Sequence, residues 1–257
     1  MGQYLGQHFL KNEEAIETII TSLDLREGET VVEIGPGTGA LTRPLLAACS
    51  QKHCHLIAIE KDTMLASALA AEFHAKSGLD MRTGDALTEL PLLASELSNF
   101  KLVGNIPYYL TGALLRLVGE LRNKPAHTTL MIQKEVAQRI CTQPPNMNLL
   151  AAATQVWAAG KILQYLKPDD FDPPPEVDSA IITLTPVNRT IPDLEAYYRC
   201  IHTVFKQPRK KLLNNLLEHP TLAREEILEQ LRKLGISGDV RGQNLTIEQL
   251  VNLSVIY

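Results

Sequence analysis

The stretch TVVEIGPGTGALTRPLLAA, residues 30–48, decides the fold. It begins with a β-branched apolar run, Thr30 to Ile34, passes through three alternating glycines and continues as an apolar helical pattern. This order predicts a strand, a tight turn and a helix. Glycines in such a turn let the backbone approach a ligand closely, and the following helix presents its positive dipole end. The stretch therefore predicts one half of a ligand-binding α/β unit.

Further strand patterns lie outward from this stretch. The apolar runs that predict them are HLIAIE ending at Glu60, LDMRTGDAL ending near Asp85, FKLVGN ending at Asn105, and HTTLMI at residues 127–132. Helical patterns follow most of them, and Asp62 is expected to cap the helix after Glu60. Strands alternating with helices predict a doubly wound, mostly parallel sheet of the α/β class.

The last strand patterns differ, because KILQYL (161–166) and SAIITLTPV (179–187) have no obvious helix between them. They predict an antiparallel pair at the edge of the sheet. After residue 193 the chain has helical patterns throughout. We therefore predict a first domain at residues 1–186, a linker at 187–192 and a small all-helical domain at 193–257.

Composition limits the classes of function. The chain has 257 residues, 45% of them hydrophobic, and a net charge of −4. An acidic chain has no global field that attracts nucleic acid, so any nucleic-acid partner would need a local basic patch. No run approaches the roughly 18 apolar residues of a membrane span, so we expect no membrane contact.

The cysteines favour a reducing compartment, which suggests a cytoplasmic protein. They form no CxxC pair and are Cys49, Cys54, Cys141 and Cys200. The cluster CSQKHCH, residues 49–55, lies between a helix pattern and a strand pattern, where a compact tetrahedral ligand set is awkward. We therefore predict no metal site.

Three strand ends carry residues suited to a nucleoside. Gly35 and Gly37 belong to the glycine turn, Glu60 can accept ribose hydroxyls, and Asp85 can accept the exocyclic amine of an adenine. All three ends lie on the edge where open α/β folds bind ligands. The alternatives are a solvated charge for Glu60 and an ordinary helix cap for Asp85. The spacing G-x-G-x-G also differs from the G-x-G-x-x-G of dinucleotide enzymes, so a dinucleotide cofactor is disfavoured.

The sequence Asn105-Ile106-Pro107-Tyr108 ends the next strand on the same edge. Ile106 is held extended by the following proline, and Pro107 fixes its own φ. The asparagine oxygen and a nearby backbone carbonyl can accept both hydrogens of a planar amine, while Tyr108 offers a flat face. Two acceptors favour a pyramidal nitrogen whose lone pair can attack a sulfonium methyl group, and the ring stabilises the developing positive charge. The alternative is a structural turn with a buried amide.

These motifs together resemble the ribosomal RNA adenine N6,N6-dimethyltransferases. The resemblance runs nearly end to end and is carried, in order, by GQHFL (6–10), VEIGPGTGALT, AIEKD, GDA, GNIPY, MIQKEVAQR, FDPPPEVDSA and FKQPRKKLLNNL (205–216). It implies S-adenosylmethionine as methyl donor. It also implies cofactor contacts in the segment Gln7 to Leu10, notably His8 and Leu10, and at the four positions Gly35, Glu60, Asp85 and Asn105. The target adenine is then expected at Asn105 to Tyr108, with Phe171 stacked on its other face.

Two positions depart from the family pattern, because His8 stands where asparagine is usual and Ile106 where the small-subunit branch more often has leucine. The long matches at FDPPPEVDSA and FKQPRKKLLNNL still favour the small-subunit, 16S-type branch. The resemblance thus implies dimethylation of two adjacent adenosines in the 3′-terminal hairpin loop of 16S rRNA during subunit assembly, by a monomer. The alternatives are the large-subunit enzyme that confers macrolide resistance and a non-catalytic assembly or transcription factor. A DNA adenine methyltransferase is disfavoured because no target-recognition insertion is visible.

One local run could meet RNA. Between Ala196 and Leu217 there are five basic residues and no acidic ones: Arg199, Lys206, Arg209, Lys210 and Lys211. We call these five residues the basic run. Such a run in an acidic chain predicts phosphate contacts, with Arg209, Lys210 and Lys211 as the main candidates. The alternative is a solvated helix face.

Overall fold

A computed structural model describes residues 8–73, 78–219 and 221–257. The strands within these ranges are β1 (Phe9–Leu10), β2 (Thr30–Ile34), β3 (His55–Glu60), β4 (Leu79–Thr83), β5 (Phe100–Asn105), β6 (His127–Gln133), β7 (Ala158–Leu166), β8 (Phe171–Asp172) and β9 (Ser179–Pro186).

The helices alternate with the first strands and then follow one another after β9. They are α1 (Glu13–Ser22), α2 (Thr42–Gln51), α3 (Thr63–Phe73), α4 (Ala86–Glu96), α5 (Thr111–Glu120), α6 (Lys134–Cys141), α7 (Leu149–Gln155), α8 (Leu194–Val204), α9 (Leu212–Leu216), α10 (Arg224–Lys233) and α11 (Ile247–Leu253). Short 3-10 helices occur at Tyr108–Leu110, Pro168–Asp170, Gly242–Asn244 and Ser254–Ile256.

Seven strands form one sheet in the order β4-β3-β2-β5-β6-β9-β7. The five strands from β4 to β6 run parallel, and β9 is antiparallel to β6. The predicted doubly wound, mostly parallel sheet is therefore confirmed, and the late strands lie at its edge as expected. Because β2, β3, β4 and β5 are parallel, their last residues meet at one edge, which we call the carboxyl edge.

Local signals explain where the helices begin. The side chain of Asn12 accepts from Ala15 N at 3.0 Å ahead of α1, and that of Asp193 accepts from Ala196 N at 2.9 Å ahead of α8. The predicted cap at Asp62 is confirmed, since its carboxylate accepts the backbone N–H groups of Met64 and Leu65. Each cap satisfies donors that the first helical turn cannot bond internally. The predicted end of the α3 pattern at residues 74–75 lies outside the described residues.

The α/β unit comprises the residues up to Ala137 together with Gly160–Pro186. A hydrophobic cluster joins α1 and α2 to one face of the sheet, with Ile19, Leu45, Leu56 and Val103 each no more than 1% exposed. Burying such side chains fully contributes about 1.5–3 kcal/mol each. The members of the cluster in β2 and just before α2 flank the glycine turn, so the turn begins and ends at the buried core.

The second compact unit consists of Gln138–Ala159 and Val187–Tyr257. Described residues after Asp193 form helices and no strand, in agreement with the helical pattern. Residues 138–159, which the sequence places within 1–186, pack in this unit: the buried Tyr197 hydroxyl donates to Ala152 O at 3.0 Å. The reason is that α7 is a short apolar helix whose buried alanines need a partner face, and α8 provides it within the unit.

None of the helices within the described ranges combines the length and the hydropathy that crossing a bilayer requires.

Candidate active site

Four strand ends of the α/β unit converge on one pocket at the carboxyl edge. The pocket lining includes Gly35 and Gly37 after β2, Glu60 at the end of β3, Asp85 after β4 and Asn105 at the end of β5. Parallel neighbours in register bring these ends together, so residues far apart in sequence share one site. Ile106, Pro107 and Tyr108 line the same pocket, as do His8 and Leu10.

The glycine turn needs glycine at two positions because of their backbone conformation, and at one of them because of a close contact as well. Gly35 and Gly37 have φ of +66° and +58°, a region that costs other residues energy. A Cβ on Gly37 would lie 2.8 Å from Cε1 of Phe9, closer than carbon atoms pack. The turn is therefore packed against the strap, our name for residues 8–10, and the Phe9 ring occupies the space that a side chain at position 37 would need.

Glu60 holds this turn in place. Its carboxylate is buried, and Oε2 accepts from Gly37 N while Oε1 accepts from Asp62 N, both at 2.9 Å. Because a carboxylate offers about four lone-pair sites, each oxygen can accept one further hydrogen bond. Glu60 is therefore not a solvated surface charge, and it can receive two hydroxyl groups from a ligand in the pocket.

Asp85 caps α4 and also forms an ion pair. Its Oδ1 accepts from Leu87 N at 2.9 Å, and its Oδ2 accepts from Lys61 Nζ at 2.8 Å. These two bonds, chiefly that from Lys61, lower the pKa of the Asp85 carboxyl. Asp85 is thus a helix cap, as the alternative interpretation expected, and it is also an ionised acceptor at the pocket wall. Lys61, which sequence patterns did not single out, lines the pocket too.

Asn105 is fixed by the strap. Its Nδ2 donates to the backbone carbonyl of His8 at 2.8 Å, which leaves Oδ1 as an acceptor. Ile106 is 1% exposed, so the chain beyond β5 is anchored in the core. Pro107 has φ −54° and ψ 136°, the extended geometry that precedes the 3-10 helix beginning at Tyr108.

Tyr108 lines the pocket together with Asn105, and its hydroxyl group is held by a hydrogen bond. Its OH lies 2.7 Å from Oγ of Ser179, the fully buried first residue of β9. Burial raises the pKa of the Tyr108 hydroxyl, and the bond to Ser179 opposes that shift. The ring is therefore held neutral and oriented. The next residue, Tyr109, is 68% exposed and lies at the pocket rim.

The strap pairs with β8 to form a short two-stranded ribbon. Phe9 pairs with Asp172 and Leu10 with Phe171 in antiparallel register. His8 extends it, because its Nδ1 lies 2.8 Å from the carbonyl of Pro173. Since a carbonyl can only accept, Nδ1 carries the hydrogen. Gln7, the other expected contact in this segment, lies outside the described residues.

The structure does not bring Phe171 to the pocket. Its ring is 2% exposed and belongs to the hydrophobic core, and it is not among the described residues that line the pocket. The physical reason is the alternation of side chains along β8: Phe171 faces the core and Asp172 faces solvent. Phe171 instead pairs with Leu10 of the strap, and both side chains belong to the same buried hydrophobic cluster.

Glu33 lines the pocket and was not singled out from sequence. It is 1% exposed, and burial raises its pKa to about 8. Its Oε2 has no hydrogen-bond partner among the described residues. A carboxyl group in the middle of an apolar strand was the one available sequence signal, because β2 is otherwise Thr-Val-Val and Ile.

The basic run lies in the second unit. Lys206, Arg209 and Lys210 stand in the turn between α8 and α9, so the alternative of a helix face does not describe them. Lys211 pairs with Asp239 at 2.7 Å, and Lys206 pairs with Glu218. Arg209 and Lys210 are exposed, and their side chains make no hydrogen bond or ion pair within the described part of the chain. These two cations are the most available of the five.

Within residues 8–73, 78–219 and 221–257, no group of three or more histidine, cysteine, aspartate or glutamate side chains is arranged to hold a metal ion. In the cluster at residues 49–55, the Cys54 thiol donates to Arg26 O at 3.0 Å and Cys49 is buried.

A glycine turn, two carboxylates and an Asn-Ile-Pro-Tyr segment on one edge of a parallel sheet define a Rossmann-like α/β protein with a nucleoside pocket. Solved structures agree on the fold. A dimethyladenosine transferase from Plasmodium falciparum superposes with a TM-score of 0.82 at 23% identity, covering 96% of both chains. The 23S rRNA methyltransferase ErmE superposes with a TM-score of 0.72 at 24% identity, covering 96% of this chain and 98% of that one.

Sequence comparison identifies the family. The model of the ribosomal RNA adenine dimethylase family matches residues 2–257. Relatives called ribosomal RNA small subunit methyltransferase A are similar over nearly the whole chain. That from Laribacter hongkongensis is 37% identical, covering 97% of this chain and 93% of the relative. The relative from Dehalococcoides mccartyi strain CBDB1 is 34% identical, and the match covers 98% of this chain and 87% of the relative. The chain belongs to the ribosomal RNA adenine dimethylase family.

Proposed function

We propose that this chain transfers methyl groups from S-adenosylmethionine to N6 of two adjacent adenosines in the 3′-terminal hairpin loop of 16S rRNA. The product is N6,N6-dimethyladenosine, formed during assembly of the small ribosomal subunit. One observation carries the proposal: the Asn105 amide is fixed in orientation, its oxygen has no partner among the described residues, and it lies beside the Tyr108 ring on the same edge as Glu60 and Asp85. The relatives called small subunit methyltransferase A support the choice of rRNA.

The pocket suits S-adenosylmethionine. Glu60 has acceptor capacity for both ribose hydroxyls, and the ionised Asp85 can accept an adenine amine. Gly37 brings backbone without a side chain to the pocket wall, and Oε2 of Glu33 is a buried polar atom with no partner among the described residues. Leu10 and Gly35 complete the walls, and the His8 carbonyl connects the strap to Asn105. When bound, the cofactor supplies an electrophilic methyl group on a sulfonium sulfur.

The chain's own residues prepare the acceptor nitrogen. Asn105 Oδ1 and the Ile106 carbonyl accept the two N6 hydrogens of the target adenine, and Pro107 keeps both acceptors in place. This draws the lone pair out of the purine and toward the methyl carbon. With the cofactor bound, that lone pair would form the new N–C bond to the methyl group that the sulfonium would give up together with its positive charge. Tyr108 and the two acceptors stabilise the positive nitrogen, which then releases a proton to water.

RNA is held by the second unit in this proposal. Arg209 and Lys210 are exposed cations available to phosphates, and Lys211 joins them once its pair with Asp239 opens. Residues 193–257 would then form the RNA-binding domain and residues 1–186 the catalytic one. The target adenine must leave its stack, at a cost of a few kcal/mol. A loop adenine lowers that cost. We expect a monomer that works in the cytoplasm, where ribosomal precursors are assembled.

The test is methyl transfer to isolated particles. Small and large subunits lacking the modification are incubated with the protein and tritiated S-adenosylmethionine, and the rRNA of each is then separated and counted. We expect label in 16S rRNA alone. Label in 23S rRNA would instead indicate the large-subunit activity. Cofactor binding with no label in either rRNA would indicate an assembly factor.

A further inference from the structure

Tyr109 is an exposed aromatic residue at the rim of the pocket. It lines the pocket together with Tyr108, yet 68% of its surface is exposed. Among the large hydrophobic side chains that the described residues expose, Tyr109 is the one that lines the pocket. Tyrosine combines a large apolar ring with a polar tip, which suits a contact that is wet on one side. The ring is therefore a candidate contact for a ligand that extends out of the pocket.

The backbone directs the two tyrosine rings differently. Tyr108 and Tyr109 are consecutive residues of the 3-10 helix Tyr108–Leu110, which a backbone bond to the Pro107 carbonyl closes at 2.9 Å. Such a helix has three residues per turn, so consecutive side chains leave it about 120° apart. The Tyr108 hydroxyl points inward to the buried Ser179, whereas Tyr109 reaches the rim. One ring thus lies inside the pocket and the next one outside it.

The cation beside Tyr109 is already neutralised. The hydrogen bond to Asp85 raises the pKa of Lys61, and Tyr109 adds to that shift, so the two side chains are neighbours at the rim. The Lys61 ammonium lies 2.8 Å from the Asp85 carboxylate. This part of the rim therefore offers a flat ring without a free cation from Lys61. It suits an uncharged nucleobase better than a phosphate group.

An RNA substrate creates a need for such a ring. An adenosine enters the pocket only after it has left its stack, and the base next to it then loses a stacking partner. That neighbouring base stays outside the pocket, one nucleotide away from the base that Tyr108 faces. An aromatic side chain can stack on any base, because every base has a π face. Tyr109 is one residue from Tyr108 and outside the pocket, where it can meet that base.

We infer that Tyr109 stacks on the base of the nucleotide next to the target adenosine and so holds the RNA strand at the mouth of the pocket. The inference rests on the proposed function and adds to it the residue that receives the neighbouring base. Because the two target adenosines are adjacent, each is the neighbour of the other in turn. In each step the ring replaces part of the stacking that the neighbour has lost.

Three variants separate the ring of Tyr109 from its bulk. Tyr109→Phe keeps the ring, Tyr109→Leu keeps an apolar side chain without a flat face, and Tyr109→Ala removes both. Leu92→Ala is the matched control, because Leu92 is 57% exposed on α4 and is not among the described residues that line the pocket. Each full-length variant is assayed for kcat/KM with unmodified small subunits and for S-adenosylmethionine affinity by calorimetry.

We expect Tyr109→Ala and Tyr109→Leu to lower kcat/KM by about 5- to 30-fold, the effect of losing one contact between a base and an aromatic ring. Tyr109→Phe should stay within about twofold of wild type, because stacking uses the face of the ring. The cofactor affinity of all three variants should stay within about twofold of wild type. Leu92→Ala should match wild type in both measurements.

Changing the neighbouring base tests the partner of Tyr109 directly. Small subunits are prepared whose 16S rRNA has uridine in place of one or the other of the two adenosines. The affinity of wild type and of Tyr109→Ala is then measured for these two particles and for the unchanged one. Uracil has a smaller ring system than adenine and stacks less strongly. The affinity lost through Tyr109→Ala should therefore fall to about half or less on at least one of the uridine particles.

The inference is overturned if Tyr109→Ala keeps kcat/KM within about twofold of wild type, or if Tyr109→Leu is as active as Tyr109→Phe, since bulk would then suffice. A fall in cofactor affinity as large as the fall in kcat/KM would assign Tyr109 to the cofactor and also overturn it. An equal loss of affinity on all three particles would assign Tyr109 to a contact other than the neighbouring base. Failure of the proposed function is distinguishable, since wild type itself would then methylate no small subunit.

Discussion

The side-chain amide of Asn105 is bonded to the backbone of His8, a residue 97 positions earlier, through Nδ2 and O at 2.8 Å. This bond decides which way the amide points. An amide has one oxygen and one NH₂ group, so the donation to His8 leaves the oxygen for a ligand. The same bond ties the strap to the end of β5. The acceptor that we assign to catalysis is therefore oriented before any substrate arrives.

Glu60 should be needed both for the cofactor and for the turn that receives it. Glu60→Gln replaces one acceptor oxygen by an NH₂ group that faces a backbone N–H donor, either Gly37 N or Asp62 N. We expect S-adenosylmethionine binding to weaken by about 1.5–3 kcal/mol, the range for hydrogen bonds to charged groups. Calorimetry measures it, with the exposed Glu17→Gln as control. An unchanged dissociation constant for Glu60→Gln would remove Glu60 from the cofactor site.

Glu33 should make stability depend on pH. Its pKa is raised from 4.5 to about 8 by burial, so the folded state keeps a proton that the unfolded chain has released. The associated stability is fully present below pH 4.5 and is lost as the pH rises to about 8. Glu33→Gln keeps the shape and cannot ionise. Its free energy of unfolding, relative to wild type, should rise by on the order of several kcal/mol between pH 5 and pH 8.

Urea denaturation at a series of pH values measures this difference. Glu27→Gln, at an exposed position, is the control and should follow wild type. A constant difference between Glu33→Gln and wild type from pH 5 to pH 8 would show that Glu33 is ionised throughout.

Tyr108 should act through its ring, with the hydroxyl serving structure. Tyr108→Phe leaves the buried Ser179 hydroxyl without its partner at 2.7 Å, at a cost of about 1 kcal/mol of stability. Methyl transfer should change little. Tyr108→Ala should lose about 1–3 kcal/mol of stacking in kcat/KM.

A double-mutant cycle separates these roles of Tyr108. Adding Ser179→Ala to Tyr108→Phe should restore part of the lost stability, because no polar group is then left unpaired. If Tyr108→Phe were as inactive as Tyr108→Ala, the hydroxyl would have a chemical role.

Much of this site could be predicted from the sequence, because it consists of strand ends. Apolar runs place β2, β3 and β5 correctly, and the carboxyl edge follows from their parallel order. Glu60 and Asn105 end their strands as expected. Asp85 does not end β4 but lies two residues beyond it. Its side chain accepts from Leu87 N and so caps the start of α4.

The contacts that the sequence did not reveal join segments far apart in the chain. The strap pairs with β8, Tyr108 bonds to Ser179, and Asn105 bonds to His8. Strands of two residues have no periodicity to detect, and hydrogen bonds between distant loops leave no local pattern. The position of Phe171 shows the same limit. A proline-rich loop indicates rigidity, but which way its ring points depends on pairing with Leu10.

The exposed cations of the basic run should control particle binding. Changing Arg209 and Lys210 to Glu should leave cofactor affinity intact and reduce affinity for the small subunit. The slope of log affinity against log salt should decrease by about 1 for each lost phosphate contact. Lys211 is left unchanged because a glutamate there would face Asp239. Arg224→Glu with Arg232→Glu makes the same change of charge on α10.

Measuring binding to the small subunit at two or more salt concentrations gives the affinity and its salt dependence for wild type and for each double variant. Equal affinity and slope for wild type and the Arg209, Lys210 variant would move the RNA contact elsewhere.

The most direct test of the central claim is the nucleoside content of 16S rRNA after reaction with wild type and with Asn105→Ala. Unmodified small subunits are incubated with S-adenosylmethionine, and the rRNA is digested and analysed by mass spectrometry. Wild type should yield N6,N6-dimethyladenosine. Asn105→Ala should fold and bind the cofactor with little change, yet form the product about 10²-fold or more slowly, because one preorganised acceptor is lost. Product formation by Asn105→Ala within twofold of wild type, or methylation by wild type at any atom other than adenine N6, would contradict the account.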